Sequence, residues 1–134
     1  SHIRGGDGDD MIVITGDEND YIYGGDGDDV ITLTGSRNSD IHGDEDHDTI
    51  TIYGDDNTDI YGGDDGDRIT ITGDGNNRIY GGHGDDYINI YGAGSEDIDG
   101  GDGHDSCSIV SSDGETTPDW SPVDDCEETA AVGS

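Results

Sequence analysis

Six aspartates recur at a fixed interval of 19 residues: Asp10, Asp29, Asp48, Asp67, Asp86 and Asp105. A glycine stands five residues before each, at Gly5, Gly24, Gly43, Gly62, Gly81 and Gly100. Further aspartates crowd the same short segments, among them Asp7, Asp9, Asp26, Asp28, Asp64, Asp85 and Asp102, and no Lys or Arg lies within any of them. Carboxylates packed this closely repel one another unless a cation lies among them. The chemistry offered is oxygen coordination of a hard cation. Ca²⁺ takes about six to eight oxygens, and glycines let a loop turn its carbonyls toward one point. No stretch carries the D-x-D-x-D-G spacing with Glu at the twelfth position that an EF-hand loop needs. A Mg²⁺ cage is disfavoured because Mg²⁺ keeps its waters.

The whole chain is biased the same way. Its 134 residues hold 35 acidic side chains against four arginines and no lysine, a net charge of −31. Such a polyanion excludes nucleic acid, whose phosphates need basic partners, and is repelled by anionic membrane surfaces. No run of 18 apolar residues exists, so no membrane insertion is expected. With 27% hydrophobic residues, composition alone points to disorder. No signal peptide is visible, and the abrupt opening Ser1–Gly8 reads as a piece of a larger protein, expected to be monomeric.

The aliphatic residues contradict disorder. One column is Ile3, Ile22, Ile41, Ile60, Ile79 and Ile98. A second is Ile12, Ile31, Ile50, Ile69 and Ile88, then Cys107, and a third is Ile14, Leu33, Ile52, Ile71, Ile90 and Ile109. All sixteen isoleucines and the only leucine fall in these columns. Each repeat divides into a ten-residue half with two inward aliphatics at i, i+2 and a nine-residue half with one. That spacing is the strand period, and Gly/Asp/Asn clusters between the strands are turn material. Glycines every few residues rule out helix. The fold expected is all-β: a parallel β-solenoid of about six 19-residue coils over residues 1–109. Residues 110–134, where the pattern dissolves, are expected to cap its open edge, with a floppy tail as the alternative. Cys107 sits in a core column, so either a Cys107–Cys126 bridge or a buried thiol fits. The aliphatics are too few to offset the ordering of so many residues, so without bound cations the chain is expected to stay unfolded.

The ten-residue halves resemble the GGxGxDxUx nonapeptide of the repeats-in-toxin (RTX) family, where U is a large aliphatic. GGDGDDMIV (5–13), GGDGDDVIT (24–32) and GGHGDDYIN (81–89) match every defined position. GGDGHDSCS (100–108) has Cys at U, GGDDGDRIT (62–70) exchanges Gly and Asp, and GDEDHDTIT (43–51) keeps one of three glycines. The resemblance implies Ca²⁺ ions held between loops of neighbouring coils. It makes Asp10, Asp29, Asp48, Asp67, Asp86 and Asp105 the carboxylate ligands, with Asp7, Asp9, Asp26, Asp28, Asp64, Asp85 and Asp102 giving mainly carbonyls. In the 43–48 loop, Asp46 must bear a strained backbone or the loop must differ. The nine-residue halves lack the carboxylate in most copies and keep Asn19, Asn38, Asn57 and Asn76, expected to form a hydrogen-bonded ladder without metal. Several calcium ions are thus expected in one row, along the GGxGxD side.

This one-sided, 19-residue form is similar to the RTX solenoids of calcium-dependent ice-binding adhesins, whose turns read x-G-T-G-N-D. Here the Thr column is replaced by Asp17, Ser36, Asp55, Asp74 and Ala93, and hydrated carboxylates oppose ice binding on that side. Outward strand positions carry a second array, Thr32/Thr34, Thr51/Tyr53 and Thr70/Thr72, for which strand propensity is the plainer explanation and contact with ice or a polysaccharide the sharper one. Tyr23, Tyr61 and Tyr80 form an aromatic column interrupted by His42 and Asp99. No catalytic constellation emerges from His42, His47, His83 and His104, so an enzyme is not expected. The function expected is a calcium-folded structural, extender or secretion-linked module of a secreted or surface protein; the alternative is an ice- or polysaccharide-binding face on the same scaffold.

Overall fold

A computed structural model describes residues 1–110 in full, and 123–124 and 126–129 as strand backbone. Two parallel sheets of seven strands face each other. The first contains β1 (Ile3–Asp7), β3 (Asp20–Asp26), β5 (Ser39–Glu45), β7 (Thr58–Asp64), β9 (Asn77–His83), β11 (Glu96–Asp102) and β13 (Val123–Asp124). The second contains β2 (Met11–Thr15), β4 (Val30–Thr34), β6 (Thr49–Tyr53), β8 (Arg68–Thr72), β10 (Tyr87–Tyr91), β12 (Asp105–Val110) and β14 (Cys126–Thr129). The chain alternates between sheets, so each pair of strands is one coil and six coils stack. Up to β12 the sheets pair residue i with i+19, as in Ile12↔Ile31 and Ile22↔Ile41. Identical residues therefore lie in ladders about 4.8 Å apart.

The three aliphatic columns fill the space between the sheets. From Ile22 to Ile90 every member is fully buried. The second sheet alternates inward Ile with outward Thr, Val or Tyr. The first sheet holds one inward aliphatic per strand because the second inward slot is glycine, as at Gly24 two residues after Ile22. From Ile22 onward each isoleucine of that column follows a residue with left-handed backbone, from Tyr21 at φ 61° to Asp97 at φ 52°. This irregularity carries no residue preference and was not visible in the sequence.

Cys107 is buried in its core column and disulfide-bonded, and the chain has one other cysteine, Cys126, whose side chain lies outside the described residues. β13 and β14 extend the two sheets beyond the last coil, at Ile98↔Val123 and Asp105↔Cys126. The cap expected over 110–134 otherwise falls outside the described residues. Among the described residues, no helix is long and apolar enough to cross a membrane.

Candidate calcium site

Each coil has two turns, and each turn carries a side-chain ladder. On the ten-residue side the ladder is anionic. The Asp10 N–H donates to Asp29 Oδ1 at 2.7 Å, Asp29 to Asp48 at 2.8 Å and Asp48 to Asp67 at 2.7 Å. Asp67 continues to Asp86, and Asp86 to Asp105, each at 2.8 Å. One carboxylate oxygen per coil is thus pinned by the preceding coil. The other is not: Oδ2 of Asp29, Asp48, Asp67, Asp86 and Asp105 is buried without a hydrogen-bond partner.

The glycine five residues upstream exists to admit that oxygen. A Cβ on Gly5 would lie 2.6 Å from Asp10 Oδ2 and 2.7 Å from Gly24 O, the carbonyl of the next coil. The same two groups meet at Gly24, Gly43, Gly62 and Gly81. A carboxylate oxygen and a neighbouring coil's carbonyl therefore converge at each of these glycines, where no side chain fits.

On the nine-residue side the ladder is neutral. Asn38 donates its backbone N–H to Asn57 Oδ1 at 2.9 Å and its Nδ2 to the same oxygen at 2.9 Å. Asn57 repeats this onto Asn76 at 2.8 and 3.0 Å. Asn19 begins the ladder in the same way, its N–H and Nδ2 donating to Asn38 Oδ1 at 2.7 and 3.1 Å with Nδ2 also reaching Gly16 O at 2.9 Å, and at the other end Asn76 Nδ2 turns to Gly54 O at 3.2 Å. The two turns make the same backbone-to-side-chain bond and differ in the remaining atom. The amide nitrogen of Asn donates within the ladder, whereas Oδ2 of Asp has nothing to donate and receives nothing.

A buried, unpaired carboxylate is costly when ionised. Burial, with neighbouring aspartates adding repulsion, pushes Asp67 up to about 8 and Asp48 up to about 7. Asp86 rises to about 6 and Asp29 rises as well, burial again first. The column is thus a row of acceptor oxygens in want of a cation, and an oxygen-only donor set suits Ca²⁺. No three acidic, His or Cys side chains converge on one point among the described residues. Each turn instead offers one carboxylate together with backbone carbonyls.

The remaining loop aspartates divide by position. Carbonyls of Asp26 and Asp102 accept the N–H of Gly8 and Gly84, at 2.6 and 2.8 Å. Asp9, Asp28 and Asp85 instead use Oδ1 to accept N–H groups of Asp28, His47 and His104 in the next coil, at 3.1, 3.1 and 3.0 Å. Asp7 and Asp64 end strands of the first sheet at the same loop. The irregular 43–48 loop keeps the ladder by taking on strain. Asp44 at φ 93° and Asp46 at φ 75° hold backbone conformations that glycine holds in most other coils.

Two features of the nine-residue side escaped sequence reasoning. Asp17, Ser36, Asp55 and Asp74 are not merely hydrated: each side chain accepts the N–H of its successor at 2.8–3.0 Å. On the first sheet, His42 does not interrupt the aromatic column. Its ring stacks between Tyr23 and Tyr61 at 4.8 and 4.6 Å, and Tyr61 stacks on Tyr80 at 5.0 Å.

A family model for the RTX calcium-binding nonapeptide repeat matches four copies, over residues 12–35, 71–89 and 91–107. The matched repeats and the parallel 19-residue coils fit an RTX β-roll. Neither the curated proteins nor the solved structures include a match to the chain.

Proposed function

We propose that this β-roll is a module that folds on binding calcium, a structural extender or secretion-linked segment of a secreted or surface protein, without catalytic activity of its own. The observation that carries it is the column of five buried Oδ2 atoms without hydrogen-bond partners, set against a neutral, self-satisfied Asn ladder on the opposite turn. Asp10, Asp29, Asp48, Asp67, Asp86 and Asp105 would supply one carboxylate per coil. Backbone carbonyls of the same loops, at Asp7, Asp9, Asp26, Asp28, Asp64, Asp85 and Asp102, would complete the shell. Several calcium ions would then form one row along this side.

Bound calcium supplies the positive charge that the row lacks. The chain's own part is to hold the carboxylates in register, and it does so only when the coils are stacked. Binding free energy is then folding free energy. At the low calcium of a cytoplasm, a chain of net charge −31 stays extended by self-repulsion. At millimolar calcium outside the cell, the coils stack into a stiff rod. That behaviour suits export in an unfolded state followed by folding at the surface. The non-catalytic reading is supported by the occupation of His42, whose ring is taken up by two tyrosines.

Circular dichroism titrated with calcium, then with EGTA, tests the reading. A β-sheet signal should grow with calcium and collapse on chelation. A chain that binds calcium without gaining β structure, or that is folded in EGTA at neutral pH, would refute it.

A further inference from the structure

The acidic residues are not spread evenly. The outward positions of β2, β4, β6, β8, β10 and β12 carry Thr, Ser, Asn, Tyr, Val or Met, with Arg68 the single charged residue. In a chain with 35 acidic residues, the outward positions of these six strands are free of carboxylates. The outward positions of the first sheet, by contrast, include Asp44 and Asp99. β-propensity explains Thr, Val and Tyr on this face but not the exclusion of every carboxylate, because exposed strand positions tolerate charge and a charged face favours solubility.

Three tyrosines stand on this face. Tyr53, Tyr87 and Tyr91 are 50%, 42% and 47% exposed. Tyr53 and Tyr91 occupy the same column on β6 and β10, with Thr72 of β8 between them. They are two strand spacings apart, about 9.6 Å, and among the described residues neither is stacked on another ring. Arg68 lies over the ring of Tyr87, 5.4 Å from its centroid. Between these rings the floor is polar and uncharged, with exposed Thr72 in the column and half-buried Thr70 on the same strand, while Asn89 is buried beneath the tyrosines of its own strand. The aromatic column of the first sheet is different. Its rings stack on one another at interplanar angles of 14–17°, so their faces are already covered and offer a ligand only edges.

We propose that the outward face of β6, β8 and β10 binds a neutral polysaccharide, with Tyr53 and Tyr91 as stacking platforms and Thr70 and Thr72 as hydrogen-bonding floor. Sugar rings present an apolar face to an aromatic ring and hydroxyls at their rim, which is the pairing this surface provides. The platform spacing is close to the disaccharide repeat of an extended β-linked hexose chain, so the glycan would run along the solenoid axis, across the strands. Neutral glycans are favoured over acidic ones because the surrounding protein is a polyanion. An ice lattice fits less well, since Tyr53 and Tyr91 stand proud of the threonine array and break its flatness. The inference rests on the calcium-folded state, because only stacked coils bring Tyr53 and Tyr91 into one column.

Affinity electrophoresis in calcium tests this, with hydroxyethylcellulose, galactomannan and glucomannan cast into native gels and alginate as the acidic control. Circular dichroism of each sample in calcium reports folding separately, so a failure to fold is distinguished from a failure to bind. Retardation by at least one neutral glycan and none by alginate is expected. Tyr53→Ala with Tyr91→Ala should weaken binding about tenfold or more while leaving the spectrum unchanged, and Tyr53→Phe with Tyr91→Phe should retain most of it. Folded protein that no neutral glycan retards, or retardation unaltered by the double alanine variant, would overturn the proposal. So would thermal hysteresis lost on Thr32→Tyr and Thr70→Tyr, which would assign the face to ice.

Discussion

The backbone N–H of Asp48 donates to Asp67 Oδ1 at 2.7 Å, while Asp67 Oδ2, on the same carboxylate, is buried with no hydrogen-bond partner. One oxygen holds the coils together and the other opposes their stacking unless its charge is met. Stability and calcium dependence therefore reside in the two oxygens of one side chain, and substitutions can separate them.

Replacing Asp67 by asparagine keeps an acceptor oxygen for Asp48 and puts an N–H₂ where Oδ2 was, as on the opposite turn. Asp67→Asn is expected to need less calcium than wild type to fold and to gain less from further calcium. Asp67→Ala removes the acceptor too and leaves a buried N–H, at a cost of about 1–3 kcal/mol, so in calcium it should melt lower than Asp67→Asn. Calcium titration by circular dichroism and thermal melts at saturating calcium check both. Equal melting of the two variants would show that the pinned oxygen contributes nothing.

The reverse exchange probes the neutral turn. Asn57 donates Nδ2 to Asn76 Oδ1 at 3.0 Å and accepts from Asn38 on its own Oδ1. Asn57→Asp keeps the accepted bonds and converts the donor into a buried anion beside another oxygen. The loss should exceed the ~1–3 kcal/mol of an unsatisfied neutral group, because the new group is charged. Calcium titration of the variant by calorimetry should show no additional ion, since the carbonyl geometry of the ten-residue loop is absent from this turn. Full rescue by calcium would contradict the one-sided reading.

The raised acidities set the pH response of the metal-free chain. Asp48, Asp67 and Asp86 titrate in the fold near 7, 8 and 6, against an ordinary 3.8. Between those limits the folded chain binds more protons than the unfolded chain, so stability falls as pH rises. Their contribution is complete below about pH 4 and is lost through pH 6–8. In EGTA, β-sheet signal should increase on acidification from pH 8 to pH 5. In calcium, half-saturation should shift to higher concentration over the same range, because protons compete for the same oxygens. A metal-free signal that strengthens with rising pH would show that these carboxylates are not buried together.

Much of this was legible in the sequence because stacking turns a 19-residue interval into spatial adjacency. The aliphatic columns gave the coil and its inward faces, and the persistence of Asn38, Asn57 and Asn76 gave the neutral ladder. What stayed hidden lacks a constant residue type. The left-handed position ahead of the first sheet's isoleucines, from Ile22 onward, is filled by Tyr21, Asp40, Asp59, Arg78 and Asp97, from which no backbone preference can be read. His42 looked like a break in a tyrosine column because the column was read by name, whereas an imidazole stacks on phenol rings as a flat π-system. Asp17 and Asp74 looked like hydrated surface, yet a short acceptor side chain at that position can cap the next coil.

The third coil offers a gain. Asp46 holds φ 75° where Gly8, Gly27, Gly84 and Gly103 sit in the same column, and Asp65 holds φ 71° beside it. A non-glycine residue with left-handed backbone costs roughly 1–2 kcal/mol, partly offset by the greater unfolded-state freedom of glycine. Asp46→Gly is expected to raise the melting temperature in calcium by a few degrees, with or without Asp65→Gly, and to sharpen the calcium transition by making this loop like its neighbours. Gly62→Ala should do the opposite. Its Cβ would be driven against Asp67 Oδ2 and the carbonyl of Gly81, at about 1–3 kcal/mol of overpacking, and calcium affinity should fall with stability. Differential scanning calorimetry at saturating calcium checks both. If Asp46→Gly lowers the melting temperature, the Asp46 side chain stabilises the loop by more than its backbone strain costs.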